Sequence, residues 1–73
     1  MKDRFEQLRG RFVEIKTVAG ERVKGTIAEV GDDHAVLKDL VGGSKYIAFS
    51  AVAMLEDQQG MKEKVDELHR GER

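Results

Sequence analysis

The chain has 73 residues, no cysteine and a formal net charge of −1, with 37% of its residues charged. A chain of this length forms one domain and buries only about 60% of the surface that its unfolded form exposes, so it needs a disulfide, a metal or a partner chain. The absence of cysteine excludes disulfides and thiolate metal sites, and the two histidines, His34 and His69, show no ligand spacing. We therefore expect self-association to supply the missing burial.

The sequence also argues against a membrane protein and against an enzyme. No apolar run approaches the ~20 residues that a membrane span needs, and the N-terminal MKDRFEQLRG lacks the apolar core of a signal peptide. We expect a cytoplasmic protein with no membrane contact. Because no nucleophile elbow, phosphate-binding glycine loop or metalloenzyme motif is present, we expect no enzymatic activity, no cofactor and no metal site.

Apolar periodicity predicts a short helix followed by five strands. The helix covers residues 2–9, where Phe5 and Leu8 share one face and Gly10 ends it. Strands are predicted, in chain order, at residues 11–17, Arg22–Val30, 34–39, 45–49 and 51–55. Short strands at regular spacing, each bounded by a glycine or aspartate, are typical of a small all-β barrel.

The second strand, Arg22–Val30, is long for so small a domain. Gly25 near its middle predicts a sharp bend or a close backbone approach. The segment Gly31-Asp32-Asp33 predicts the turn into the third strand, because glycine accepts a positive φ and aspartate can hydrogen-bond its own backbone. A long, bent antiparallel sheet is how a very small barrel closes.

The composition changes after the fifth strand. Met61, Val65 and Leu68 are spaced i, i+4, i+7, which predicts an amphipathic helix with a narrow apolar stripe. The stripe either folds back on the barrel, packs on another subunit or frays, and the sequence leaves all three open. The predicted fold is therefore mainly β: a five-stranded, strongly bent antiparallel barrel with an N-terminal helix over residues 1–56, and a C-terminal helix or tail over 57–73.

The order of glycines and aliphatic residues resembles the Sm-like (LSm) family, a group of SH3-like barrels that includes the bacterial Hfq-type members. Two motifs carry the resemblance: Val13, Ile15, Gly20, Gly25, Ile27, Val30 and Leu37 in the first, and Ile47, Val52 and Leu55 in the second. The resemblance implies a closed hexameric or heptameric ring, in which strand four of one subunit pairs with strand five of the next. It also implies binding of single-stranded RNA on the ring.

The last two strands suit such a ring because they are nearly uniformly apolar and contain one charge, Lys45. An exposed edge of this composition invites aggregation unless it is paired, and an identical neighbour can pair it. The candidate interface residues are Tyr46, Ile47, Phe49, Val52 and Met54. The alternative is that both strands are fully buried within one monomeric barrel.

The family's RNA-binding positions are matched only in part. In Sm proteins an Asp and an Asn beside the turn between strands two and three hold the base, and the corresponding residues here are Gly31 and Ala35. In the Hfq-type second motif, Tyr-Lys-His contacts RNA. Tyr46 matches its tyrosine, whereas Ile47 and Ala48 replace the lysine and the histidine.

Basic residues and stacking aromatics could still bind single-stranded RNA. The candidates are Arg4, Arg9, Arg11, Lys45, Tyr46 and His34. The alternative for the basic residues is ordinary solubilising charge. The sequence thus predicts a ring-forming Sm-like module that binds single-stranded RNA with weak or altered specificity. The alternative function is a structural or protein-interaction ring that has lost RNA binding and takes another protein as its partner.

Overall fold

A computed structural model describes residues 1–60 as a five-stranded antiparallel sheet with a short N-terminal helix. The elements are α1 (Lys2–Gln7), β1 (Phe12–Thr17), β2 (Arg22–Val30), β3 (His34–Lys38), β4 (Ser44–Ala48), a 3-10 helix (Phe49–Ala51) and β5 (Val52–Asp57). The first helix and all five strands are confirmed to within two residues at each end. β5 runs one residue past the predicted boundary after 56, and the stripe of the predicted C-terminal helix, in 61–73, lies outside the described residues.

The strand order is β4-β3-β2-β1-β5, and every neighbouring pair is antiparallel. β4 and β5 therefore form the two edges of the sheet. No ladder joins them within residues 1–60, so closure of the sheet into a barrel stays a prediction. Register shifts between Lys16 and Thr17 and between Ile27 and Glu29 mark irregularities of the β-bulge kind, which bend a strand locally.

One face of the sheet carries the core. Its buried residues are Val13, Ile15, Ile27, Ala35, Leu37 and Val52, joined by Phe5 and Leu8 from the α1 segment. A helix of six residues does not form stably alone. Phe5 anchors it, since this side chain is fully buried and its ring stacks on Phe49 at a centroid distance of 5.0 Å. No helix among the described residues is long and apolar enough to cross a membrane.

Gly25 lies at a close approach of β2 and β3. A Cβ atom at this position would lie 2.8 Å from the Lys38 carbonyl oxygen and 3.2 Å from the Leu37 Cβ. Both distances are shorter than ordinary van der Waals contacts, so a side chain would push β3 away. The predicted close backbone approach is confirmed.

Gly31 lies in the turn between β2 and β3, but its backbone does not adopt the positive φ that favours glycine in turns. Positive φ angles occur among residues 1–60 at Gly10, Gly20 and Gly42, and Gly31 is not among them. The predicted turn at Gly31-Asp32-Asp33 is confirmed, but a positive φ is not the reason for its glycine. A Cβ atom on Gly31 would instead overlap the imidazole of His34, so the position is small because that ring occupies the space beside it.

We predict that Gly25→Ala lowers the free energy of unfolding by about 1–3 kcal/mol, because the new methyl group meets a backbone carbonyl that cannot move independently. Urea denaturation followed by circular dichroism at one fixed protein concentration measures the change. Gly60→Ala is the matched control, since a Cβ there meets nothing within 4 Å, and we expect it to stay within about 0.5 kcal/mol of the parent chain. Equal stability of the two variants would contradict the close approach.

Candidate functional site at the sheet edges

An aromatic pair lies on the face of the sheet opposite the core. The rings of His34 in β3 and Tyr46 in β4 stack with centroids 4.1 Å apart and an interplanar angle of 13°. Both residues point away from the core because side chains alternate along a strand and Ala35, next to His34, is fully buried. Tyr46 is 68% exposed, so the pair presents an aromatic surface to solvent.

The His34 ring is held on several sides. Its Nδ1 lies 2.9 Å from the Asp33 Oδ1, and the same nitrogen would lie only 2.8 Å from a Cβ on Gly31. The Gly31 N–H donates a hydrogen bond to the His34 carbonyl oxygen at 2.8 Å, which closes the turn beneath the ring. Tyr46 therefore rests on a partner whose position is fixed by the turn between β2 and β3.

Lys45 lies directly before Tyr46 and is exposed. It pairs in register with Leu37, whereas Tyr46 pairs with Val36. Neighbouring residues of a strand point to opposite faces. The lysine is therefore adjacent to the aromatic pair along the chain but does not share its face.

Arg11 and Arg4 lie near Asp57 at the end of β5. The Arg11 Nε donates a hydrogen bond to the Asp57 Oδ2 at 2.9 Å. The Gln59 N–H, which donates to the other carboxylate oxygen at 3.0 Å, is the main reason that the pKa of Asp57 lies below its usual value. Partial burial opposes this shift, and the positive charges of Arg11 and Arg4 add to it.

A second ion pair connects α1 to the turn between β2 and β3. The Lys2 Nζ lies 2.9 Å from the Asp32 Oδ1. Their hydrogen bond, followed by the attraction between the charges, lowers the pKa of Asp32 and raises that of Lys2. Both side chains are open to solvent, so the pair adds little to stability. It does partly neutralise an acidic turn that adjoins the aromatic pair.

The predicted RNA-binding residues thus fall into two groups at opposite edges of the sheet. His34, Tyr46 and Lys45 lie on the β3–β4 side, and Arg4 and Arg11 lie beside β5. Arg9, the sixth predicted RNA-binding residue, is exposed in the turn after α1. Within one chain the structure brings the two aromatic residues into contact but does not join the two groups into one patch.

The predicted interface residues differ in accessibility. Tyr46 and Met54 are 68% and 48% exposed, whereas Ile47 and Phe49 are partly buried against the core and Val52 belongs to it. The Val52 side chain is therefore not accessible to a neighbouring subunit, and only its backbone can contact one. Because Tyr46 and Met54 are exposed, the alternative in which both edge strands are fully buried does not hold for residues 1–60.

A cavity of about 310 Å³, which no sequence pattern predicted, lies on the same face as the aromatic pair. Its lining residues are Phe12, Lys24, Asp39, Leu40 and Val41. One signal was available, because Phe12 stands directly before the core residue Val13 and must point to the opposite face. Leu40 and Val41 lie in a loop and gave no periodic pattern.

Comparison with known proteins does not assign this site. No protein-family model and no curated protein matches the chain. Among residues 1–60, no group of three or more His, Cys, Asp or Glu side chains is placed to hold a metal ion.

We predict that Gly31→Ala displaces the His34 ring and weakens its stack on Tyr46. Tyr46 is the single tyrosine of the chain, so its ring-proton chemical shifts can be followed without overlap from another tyrosine, at one fixed protein concentration and without RNA. We expect those shifts to move towards the positions seen in His34→Ala, with a loss of about 0.5–1.5 kcal/mol in the free energy of unfolding. Gly60→Ala should leave them unchanged. Tyr46 shifts that are identical in the parent chain and in Gly31→Ala would contradict the packing described.

Proposed function

We propose that this chain is a ring-forming Sm-like module that binds single-stranded RNA with a specificity altered from that of the family. One observation carries the proposal: the two edges of the sheet are different strands, both lack a partner within the described chain, and both expose apolar side chains. The cytoplasmic location expected from the sequence suits this function.

The edges support head-to-tail assembly. An unpaired edge strand presents a row of free N–H and C=O groups to any strand that can reach it. Since β4 and β5 lie at opposite sides of the sheet, β4 of one subunit can pair with β5 of the next without using the same surface twice. A contact between two different surfaces closes into a ring when the rotation between subunits fits. The Sm-like resemblance implies a hexamer or a heptamer.

Assembly would also provide the burial that a chain of this size lacks. Tyr46 and Met54 are the exposed large apolar residues of β4 and β5. Pairing the strands covers apolar surface at both edges of every subunit, and each Å² of apolar surface removed from water contributes about 25 cal/mol. The interaction is therefore expected to stabilise the subunit itself as well as the ring.

Ring assembly would join the two groups of candidate RNA-binding residues. Pairing places the β5 side of one subunit, with Arg4 and Arg11, beside the β4 side of its neighbour, where Tyr46 lies on one face of the strand and Lys45 on the other. Single-strand binders combine basic residues with stacking aromatics, and each stacked base contributes about 1–3 kcal/mol. A composite site of this kind would repeat around the ring.

The altered specificity follows from the residues that replace the family's base-binding pair. Ala35 is fully buried in the core, and His34 fills the space beside Gly31. Neither position offers a hydrogen-bonding side chain to a base. The exposed Tyr46 ring instead offers a stacking surface, which accepts any base because every base has an aromatic face.

The second candidate function is a ring that binds another protein. The carboxylates of Asp32 and Asp33 are 96% and 91% exposed beside the aromatic pair. Two exposed carboxylates repel the phosphates of RNA, and Lys2 neutralises only one of them. This observation favours a protein ligand at the same surface.

Light scattering tests the assembly. We expect the parent chain to have a mass several times that of the 8.2 kDa subunit. Met54→Glu should weaken the assembly by about 2 kcal/mol per contact, because it places a carboxylate on the apolar β5 edge. Val18→Glu is the matched control, since Val18 is 70% exposed but lies outside the edge strands. A parent mass near one subunit at every concentration would contradict the ring.

Fluorescence anisotropy with short poly-U and poly-A RNA tests RNA binding. Tyr46→Leu keeps an apolar residue on the edge but removes the aromatic face, so we expect the affinity to fall by roughly 1–3 kcal/mol per stacked base at an unchanged mass. Lys45→Gln should instead reduce the slope of log K against log salt by about one. An assembled parent chain that binds neither RNA would favour the protein-interaction ring.

A further inference from the structure

The aromatic pair lies in an acidic surrounding. Asp32 and Asp33, in the turn that leads into His34, expose nearly all of their side chains. β2 contributes the exposed Glu29 to the same face, because it pairs in register with Val36, two residues beyond His34. Three carboxylates of the described chain therefore surround the His34 ring.

The other elements that pack against His34 bring little positive charge. From α1, the Lys2 Nζ pairs with the Asp32 carboxylate at 2.9 Å. β4 places Tyr46 against the imidazole, whereas Lys45 points to the opposite face. The 3-10 helix after β4 has no charged residue. While the imidazole is neutral, three carboxylates thus face a single ammonium group around His34 within residues 1–60.

The two nitrogens of the His34 ring differ in their surroundings. An ionised carboxylate can only accept hydrogen bonds, so Nδ1, which lies 2.9 Å from the Asp33 Oδ1, carries a proton in this contact. Within residues 1–60, Nε2 has no hydrogen-bond partner, and the side chain is 26% exposed. Nε2 is therefore an acceptor in the neutral ring, and a second proton converts it into a donor.

We propose that His34 makes RNA binding at this surface dependent on pH, with the protonated imidazole as the phosphate-binding form. The inference rests on the proposed function. An imidazole ordinarily exchanges its proton between about pH 5 and 8. Protonation adds a positive charge beside Tyr46 and gives the phosphate next to a stacked base an Nε2–H donor. The neutral ring offers that phosphate only a lone pair, in a surrounding of net negative charge.

The packing around His34 allows the ring to change its charge without changing its position. Protonation turns the contact between Nδ1 and Asp33 into a charge-assisted hydrogen bond. The Tyr46 ring, with its centroid 4.1 Å away, presents an aromatic face that attracts a cation. On the third side, the imidazole fills the space that a Cβ on Gly31 would need. The charged ring therefore stays beside the tyrosine on which a base would stack.

Fluorescence anisotropy with short poly-U RNA, at constant salt, tests the proposal between about pH 5.5 and 7.5, where carboxylates stay ionised and uracil takes up no proton. We expect the affinity of the parent chain to rise roughly fivefold as the pH falls through this range, the effect of one exposed charge. His34→Gln keeps a hydrogen-bonding side chain that takes up no proton, so its affinity should not change with pH. The matched control, His69→Gln, removes the only other histidine and should behave like the parent chain.

A second measurement follows His34 directly. The ring-proton chemical shifts of Tyr46 should titrate with pH in the absence of RNA, because the imidazole stacks on that ring. Binding and protonation are linked reciprocally, so added RNA should move this titration to higher pH. A histidine with a purely structural role would titrate at the same pH with and without RNA.

Two results would overturn the inference while leaving the proposed function intact. They are an affinity for poly-U that is constant over this pH range, and a pH dependence that persists in His34→Gln. Absence of poly-U binding at every pH would overturn the inference as well. In that case, binding of poly-A by the parent chain decides separately whether the proposed function stands.

Discussion

The sheet is organised around the close approach of β2 and β3 at Gly25. Gly25 pairs with Val13 of β1 on one side, while the Lys38 carbonyl and the Leu37 side chain leave no room for a Cβ on the other. The nine-residue β2 therefore packs closely against both β1 and β3. The irregularity two residues later, between Ile27 and Glu29, is of a kind that bends strands. This central group of strands forms the platform onto which Phe5 and α1 pack.

Within residues 1–60, the same arrangement leaves three surfaces without a partner. β4 and β5 are displaced to opposite edges, where Tyr46 and Met54 are exposed, and the outer face carries the cavity beside Phe12. A small domain cannot cover all of these surfaces with its own residues. The proposed function assigns two of them a partner: a neighbouring subunit at the edges and a base on the Tyr46 ring.

Local signals predicted much of the fold. The bounds of β2 follow from the glycines near its ends, and the close approach at Gly25 follows from a glycine inside a strand. The reason for Gly31 was predicted wrongly, because the space taken by the His34 ring depends on its packing and not on the local sequence. Both residues of the aromatic pair were candidates, but their contact depends on the register between β3 and β4. The cavity was missed because it joins a strand residue to a loop that has no periodic pattern.

Amide hydrogen exchange, resolved by residue, tests most directly the claim that both edges are paired between subunits. If β4 of one chain pairs with β5 of the next, the N–H groups of these strands that lack a partner within one chain will exchange slowly. Their exchange will accelerate on dilution, as the assembly dissociates, while the amides of β2 stay protected. Fast exchange of the outward N–H groups of β4 and β5 at every protein concentration would contradict the account.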